Sequence, residues 1–334
     1  MKRNLLTRYA LKFSLAFLWL FYFVCVIFNW NYNNGNKIPE VTATLKSSNR
    51  NSNWIAEHLN QEDPELVEIL RKNFLDKPST EPYKFSTNPI YKEYKHNYAW
   101  PYIEKIIKKI FGGRRNGFFV EAGALDGEFL SNTLWLETEL GWSGLLIEAN
   151  SLSYKSLLSK NRKAWSSNTC LATKPYAHQS TFTSISDNSR RGSENGTEWI
   201  FRGISHLTGY TQGPRYDGIF SGTIANKTKV YCFPLFTYLL ALNRTEVDLV
   251  VLDVQGAEEG VLSTIPFDKL HVKAFVVEHT GKNNTFDLTF KEFFENKGFQ
   301  LLQCFGEPDY VFISKEEFSY AESNITNCNL AFLS

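Results

Sequence analysis

The sequence predicts an α/β protein: a mostly parallel sheet covered by helices on both faces, closed by an antiparallel hairpin and preceded by one membrane-spanning helix. Three observations carry this. Apolar runs such as GFFVEAG (117–123) and DLVVLDV (248–254) are near-continuous, as in strands buried on both faces. From residue 117 they alternate with segments of helical spacing, the pattern of a helix-covered sheet. Four of the strands end on an acid, Glu121, Glu148, Asp253 and Glu278, at the edge where open α/β sheets place their ligand crevice.

Taken in order, the chain opens with Lys2, Arg3, Arg8 and Lys12 ahead of an uncharged run, FSLAFLWLFYFVCVIFNW (13–30). A helix needs roughly 17–25 such residues to cross a bilayer. Trp30 and Tyr32 stand where an interfacial aromatic belt would lie, and the basic residues before the run place the N-terminus in the cytosol and the body in the lumen. A cleaved signal peptide is the rival, but the run is long for one and no small-x-small site follows it. The expected organisation is a cytosolic tail (1–12), a signal anchor (13–30), a polar Asn- and Ser-rich stalk (31–53) and a helical extension (54–116). A body (117–315) with a long insertion (173–229) and a tail (316–334) complete it.

In the extension, DPELVEILRKNFLD (63–76) has helical spacing, with Asp63 as N-cap and Pro64 at the first helical position. WPYIEKIIKKIFGG (100–113) is a second amphipathic helix ending at a glycine pair. In the body the expected elements are a strand (117–123), a helix with a Ser/Asn cap (131–141), a strand (143–150) and a helix through SLSYKSLLSKNRKAW (151–165). NTCLA (168–172) reads as a short third strand. Residues 173–229 lose periodicity and fill with Ser, Gly, Asn and Thr; they read as a surface insertion, with room for hairpins. Order returns with VYCFPLFTYLLAL (230–242), the strand 248–254, the helix GAEEGVLSTI (256–265), the strand VKAFVVEH (272–279) and the helix FDLTFKEFFENKG (286–298). FQLLQCF and DYVFIS form the closing hairpin.

A net charge of +1 argues against a nucleic-acid partner, and there is no CxxC, HExxH or GxxxxGK[ST] pattern. Sequons at Asn195, Asn226, Asn243, Asn283 and Asn324 agree with a luminal, glycosylated body. Outside the anchor lie Cys170, Cys232, Cys304 and Cys328, which allow three pairings. His271 and His279 lack ligand spacing, so no metal site is expected.

The loop after the first strand has a physical logic. Gly123 lets the backbone turn tightly and bring N–H groups near a ligand. Glu121 can hold a cationic or hydroxyl-bearing group. Glu148 stands where an acid takes the two hydroxyls of a ribose. Asp126 would repel a pyrophosphate, so a ribose-bearing cofactor with a positive centre, S-adenosylmethionine, suits this edge better than a dinucleotide. Each acid alone could equally be a helix cap or a loop acceptor.

Together GFFVEAGALDGEFLSNTLWLE, GWSGLLIEAN, KNRKAW and LDVQGAEEGVLSTIPFDKL resemble the FkbM-type methyltransferase domain, in its animal, Star-like branch, over roughly residues 60–315. The resemblance implies a Rossmann-like methyltransferase sheet with a final antiparallel hairpin. It implies Glu121, Gly123, Asp126 and Gly127 on the methionine and ribose side, Glu148 and Asn150 at the ribose hydroxyls, and Asp253, Glu258 and Glu278 at the transfer site. Where the family has D-V-E-G-x-E this chain reads DVQGAE, with Gln255 in place of the acid. Star-like proteins are type II membrane proteins of the endoplasmic reticulum, Golgi and endosomal system that act in vesicle-mediated traffic of a membrane-bound cargo such as a growth-factor ligand. That role is the expected function, with luminal S-adenosylmethionine-dependent O-methyl transfer to a glycan or small-molecule hydroxyl as the alternative. Cys170 and Cys232 flank the insertion and end neighbouring strand-like segments, so they are expected to pair, a pairing the branch shares. Cys304 and Cys328 would form the second bridge.

Overall fold

The architecture comes from a computed structural model that describes residues 59–88, 91, 101–187, 201–210, 223–279, 286–304 and 309–317. All of them belong to the unit Asn53–Ser334. The expected anchor and stalk, Asn195, Asn283, Asn324 and Cys328 lie outside the described residues. Among those residues no helix is long and apolar enough to cross a membrane.

Two helices precede the sheet. In α1 (Pro64–Asn73) the Asp63 carboxylate accepts the Glu65 N–H and Pro64 fills the first turn, where its missing N–H costs nothing. Helix α2 (Pro101–Phe111) ends at Gly112, whose φ of 55° suits a glycine stop. A seven-stranded sheet then forms from β1 (Phe118–Ala122), β2 (Ser143–Ile147), β3 (Trp165–Ser167), β8 (Glu246–Leu252), β9 (His271–Glu278), β10 (Phe299–Cys304) and β11 (Asp309–Ser314). Their order is β10-β11-β9-β8-β1-β2-β3. Strands β1, β2, β3, β8 and β9 run parallel; β11 pairs antiparallel with both β9 and β10, which makes the closing hairpin. The connecting helices are α3 (Leu134–Leu140), α4 (Ser151–Ser159), α5 (Leu235–Ala241), α6 (Glu258–Ser263) and α7 (Leu288–Asn296).

Alternation along the strands divides the core into two layers. Phe118, Val120, Leu145, Val250, Phe275 and Phe312 face one side and pack with α1, α5, α6 and α7. Phe119, Leu146, Leu249, Val251, Val276 and Val311 face the other and pack with α2, α3 and α4. Both faces are therefore covered, which is why the strands read as continuous apolar runs.

Two element assignments are corrected. The third parallel strand is Trp165–Ser167, not NTCLA. Helix α4 stops at Lys160, Asn161 takes a left-handed φ of 57°, and the chain re-enters the sheet beside β2, with Leu145 opposite Trp165. Asn is among the few residues that adopt that conformation readily. NTCLA instead contributes β4 (Cys170–Leu171) to a second sheet. In that sheet β5 (His178–Asp187) and β7 (Thr223–Phe233) form an antiparallel ladder from His178–Cys232 to Asp187–Thr223, with β6 (His206–Leu207) at its edge. The ladder fills the room left for hairpins in the insertion; its strands lack apolar periodicity because it rests on a small core and presents Thr, Ser, Asn and Lys outward, and Thr is a good strand former. The Cys170–Cys232 disulfide joins β4 to β7, as expected. Cys304 lies on β10. Of the sequons, Asn226 on β7 and Asn243 after α5 are exposed.

Candidate functional site

The strand order reverses between β1 and β8, so the crevice of an α/β sheet falls at the carboxyl ends of these two strands. The β1 loop begins there. Gly123 and Ala124 donate their N–H groups to the Ile147 carbonyl at 3.0 and 3.1 Å. Gly123 has φ 85°, and a Cβ at this position would lie 1.9 Å from the Asp253 carbonyl oxygen. No other residue fits this turn and this contact together. Gly127, at φ 76°, closes the same loop.

Glu121 and Asp126, expected on the methionine and ribose side, both turn their carboxylates to protein donors. Glu121 is buried. One of its oxygens accepts from Ser131 Oγ and Thr133 Oγ1 at 2.8 and 2.6 Å, and the other accepts from the Asn132 N–H at 2.7 Å. Burial pushes its pKa above the ordinary carboxylate range, and the Arg162 charge with the three donors offsets part of this. Asp126 is fully buried. It accepts from the N–H groups of Glu128 and Phe129 and from the Tyr91 hydroxyl, and it pairs with Lys160 at 3.2 Å.

Two cations compensate this buried charge, and both lie in the KNRKAW block. Lys160 bridges Asp126 and Glu128; burial works against its charge, but the two carboxylates more than offset that and raise its pKa. Arg162 is 3 % exposed. It pairs with Glu137 at 3.1 Å and donates to the Gly127 carbonyl and to Ser131 Oγ and Thr133 Oγ1. Sequence reasoning missed both residues as parts of the loop. The signal was two basic residues at the end of a helix whose sheet face must be buried.

At the end of β2, Glu148 is 6 % exposed. Its two oxygens accept the N–H groups of Leu125 and Asn150 at 2.8 and 2.6 Å. Burial raises its pKa to about 7, against the opposing pull of those two N–H groups. Each oxygen still has a second lone pair for a hydroxyl. Asn150, expected at the ribose, has its side-chain oxygen committed: it caps α4 by accepting from Leu152 N and Ser153 N. Two buried polar atoms on this edge have no protein partner: Asn132 Oδ1 in the β1 loop and Ser153 Oγ in the first turn of α4.

Across the switch point, the β8 loop gathers the remaining acids. Gln255, at φ 57°, donates its Nε2 to Asp253 Oδ1 and to Glu278 Oε2, the latter at 2.7 Å. Asp253 and Glu278 are thereby held together. Desolvation raises the pKa of Asp253 to about 6, with hydrogen bonds from Glu278 and Gln255 opposing it. Glu258 is buried and turned to backbone, accepting from Val254 N and Gly256 N, both at 2.9 Å. It is one of the three acids expected at the transfer site. Burial, and then the Glu278 charge, raise its pKa to about 8.

A doubly wound parallel sheet with a reversed final hairpin, a glycine turn at the switch point and an acid closing the second strand define a methyltransferase-like α/β protein. The methyltransferase FkbM domain model matches residues 121–301, more than half of the chain, and the chain belongs to that family. Among solved structures it is similar to a human methyltransferase 10 domain containing protein, at 14 % identity over 77 % of this chain and 98 % of that one, with a TM-score of 0.31. It is also similar to a SAM dependent methyltransferase from Aquifex aeolicus, at 10 % identity over 69 % and 96 % of the two chains, with a TM-score of 0.29. No curated protein matches the sequence.

Proposed function

We propose that this body is an S-adenosylmethionine-dependent O-methyltransferase acting on a hydroxyl of a glycan or small molecule. The observation that carries the reading is Glu148: a buried carboxyl at the end of β2 that ties down the β1 loop while keeping acceptor capacity on both oxygens. The residues fit the cofactor by their chemistry. Glu148 suits ribose hydroxyls, the orphaned Asn132 Oδ1 and Ser153 Oγ offer further polar contacts, and Asp253 with Glu278 supplies the negative surroundings a sulfonium requires. Gly123 and Gly127 shape the loop. Glu121, Asp126, Lys160 and Arg162 hold it from behind.

Bound S-adenosylmethionine would supply an activated methyl group. This chain's own part is to position the acceptor and take its proton. Asp253, with a pKa near 6, is largely ionised at neutral pH and close enough to it to serve as a base. Gln255 orients that carboxylate against Glu278. Most of the rate would then come from holding acceptor and methyl group in line.

One observation favours a second reading. Gln255 occupies a family acid position and ties up Asp253 and Glu278 together, an arrangement suited to a fold kept for binding rather than turnover. In that reading the chain is a Star-like, type II membrane protein, anchored by residues 13–30, that escorts a membrane-bound cargo through the endoplasmic reticulum, Golgi and endosomes. The apolar run behind four basic residues and the five sequons support it. Release of S-adenosylhomocysteine by the full chain, supplied with S-adenosylmethionine and a panel of glycans and small hydroxyl compounds, decides between them. Release that is lost in Asp253→Asn supports the transferase. Cofactor binding with no release from any acceptor favours the escort.

A further inference from the structure

At the end of β9 the structure brings together three side chains that sequence spacing did not connect. His279 directly follows β9, Asp287 opens α7 and Glu259 lies in the first turn of α6. His279 Nε2 is 3.0 Å from Asp287 Oδ2 and 3.6 Å from Glu259 Oε1, and all three ligand atoms fall within 4.8 Å of one another. We propose that His279, Asp287 and Glu259 hold one divalent metal ion of the zinc, manganese or cobalt class at the carboxyl edge of the sheet. The proposal goes beyond methyl transfer and does not rest on it.

The geometry suits an ion. Metal–ligand bonds of about 2.0–2.2 Å put neighbouring ligand atoms roughly 3.0–3.6 Å apart at octahedral to tetrahedral angles. The two distances from His279 Nε2 lie in that span. Two of the ligands are held from behind, as metal ligands usually are. The His279 ring stacks on Phe290, with centroids 3.9 Å apart and planes at 17°. The other oxygen of Asp287, Oδ1, accepts the Phe290 N–H at 3.1 Å, which caps α7 and leaves Oδ2 directed at the imidazole. Its backbone N–H is held by the Tyr310 hydroxyl at 2.8 Å. Glu259 is the adjustable member: its side chain is 68 % exposed and can close on an ion without disturbing the core.

The ligand set also indicates the metal. One imidazole and two carboxylates form a borderline site, harder than the thiolate sites that select copper(I) and softer than the all-oxygen sites that suit calcium. Three protein ligands leave positions open for water or for an oxygen of a bound molecule.

The test is a cobalt(II) titration of the chelator-stripped full chain, followed by visible d–d absorption, with zinc(II) calorimetry alongside. The expected result is saturation at one ion per chain, loss of the band in His279→Ala and at least about tenfold weaker binding in Asp287→Asn. Glu259→Gln, at an exposed position that folding does not need, should weaken binding severalfold. His271→Ala, at an exposed histidine away from the cluster, should leave it unchanged. A folded wild-type chain that gives no saturable cobalt spectrum overturns the proposal. So does wild-type affinity in both Glu259→Gln and Asp287→Asn, or a loss that follows His271 instead.

Discussion

Replacing Arg162 by methionine tests the claim that the β1 loop is held from behind by buried charge. Met keeps most of the side chain's length and removes its charge and donors. In the wild type Arg162 pairs with Glu137 at 3.1 Å, bonds to Gly127, Ser131 and Thr133, and is the main charge opposing the burial of Glu121. Breaking one buried ion pair while leaving its partner costs about 3–5 kcal/mol. A loss near the upper end is expected, because Glu121 is also left without its compensating cation. The effect has a pH signature. The folded-state pKa of Glu121 is already raised, and without Arg162 it rises further. A raised carboxyl contributes stability that is fully present below its unfolded pKa of about 4.3 and is lost as pH rises through the folded value. The deficit of the variant should therefore be largest at neutral pH and shrink as pH falls toward about 5. Urea unfolding followed by circular dichroism, with the slope unchanged, measures both. Arg162→Met with Glu137→Gln should recover a good part of the loss, since the orphaned charge is then gone. A loss below about 1 kcal/mol, with the wild-type pH dependence, would refute the buried-charge argument.

Three further outcomes follow from the same geometry. Gly123→Ala should cost more than the roughly 1–2 kcal/mol of left-handed strain, because its Cβ would meet the Asp253 carbonyl at 1.9 Å, and it should abolish cofactor binding; wild-type stability in this variant would mean that the loops are not in contact. Opening the Cys170–Cys232 bridge with Ser at both positions should cost about 4 kcal/mol for a sequence separation of 62, read from the urea midpoint of the oxidised wild type against the variant. Raised pKa values of about 6, 7 and 8 at Asp253, Glu148 and Glu258 mean that stability is fully present below their unfolded pKa values and falls as pH rises from about 4 to 8, each group contributing up to about 1.4 kcal/mol per pH unit until the pH passes its folded value. In Glu258→Gln the fall should be shallower at the alkaline end, and a stability that rises over this range would contradict the burial of these groups.

Strands β1, β2, β8 and β9 and the closing hairpin were legible because burial on both faces leaves short apolar runs such as VVL and FVV, each bounded by polar or turn residues. Strand β3 was not, since WSS carries one apolar residue and follows a helix without a glycine or proline stop. The β5–β7 ladder was legible only as room for hairpins, because its Thr- and Ser-rich strands look like loop until they pair. The acids at the strand ends could be located but not oriented. Whether a carboxylate faces a ligand or a backbone N–H depends on residues elsewhere in the chain, such as Ser131, Thr133 and Arg162 for Glu121, or Val254 and Gly256 for Glu258. The Glu259, His279 and Asp287 cluster was invisible for the same reason, because it is assembled from the ends of three elements.

Calorimetric titration of S-adenosylmethionine and S-adenosylhomocysteine into this 334-residue chain, beside Glu148→Ala, tests the central claim most directly. Glu148 holds the Leu125 N–H and offers its remaining lone pairs to a ribose, so saturable binding of both ligands should be lost in the variant. Binding that survives Glu148→Ala, or none by a folded wild-type chain with its Cys170–Cys232 bridge intact, would contradict the cofactor site and leave the loop as an inherited turn.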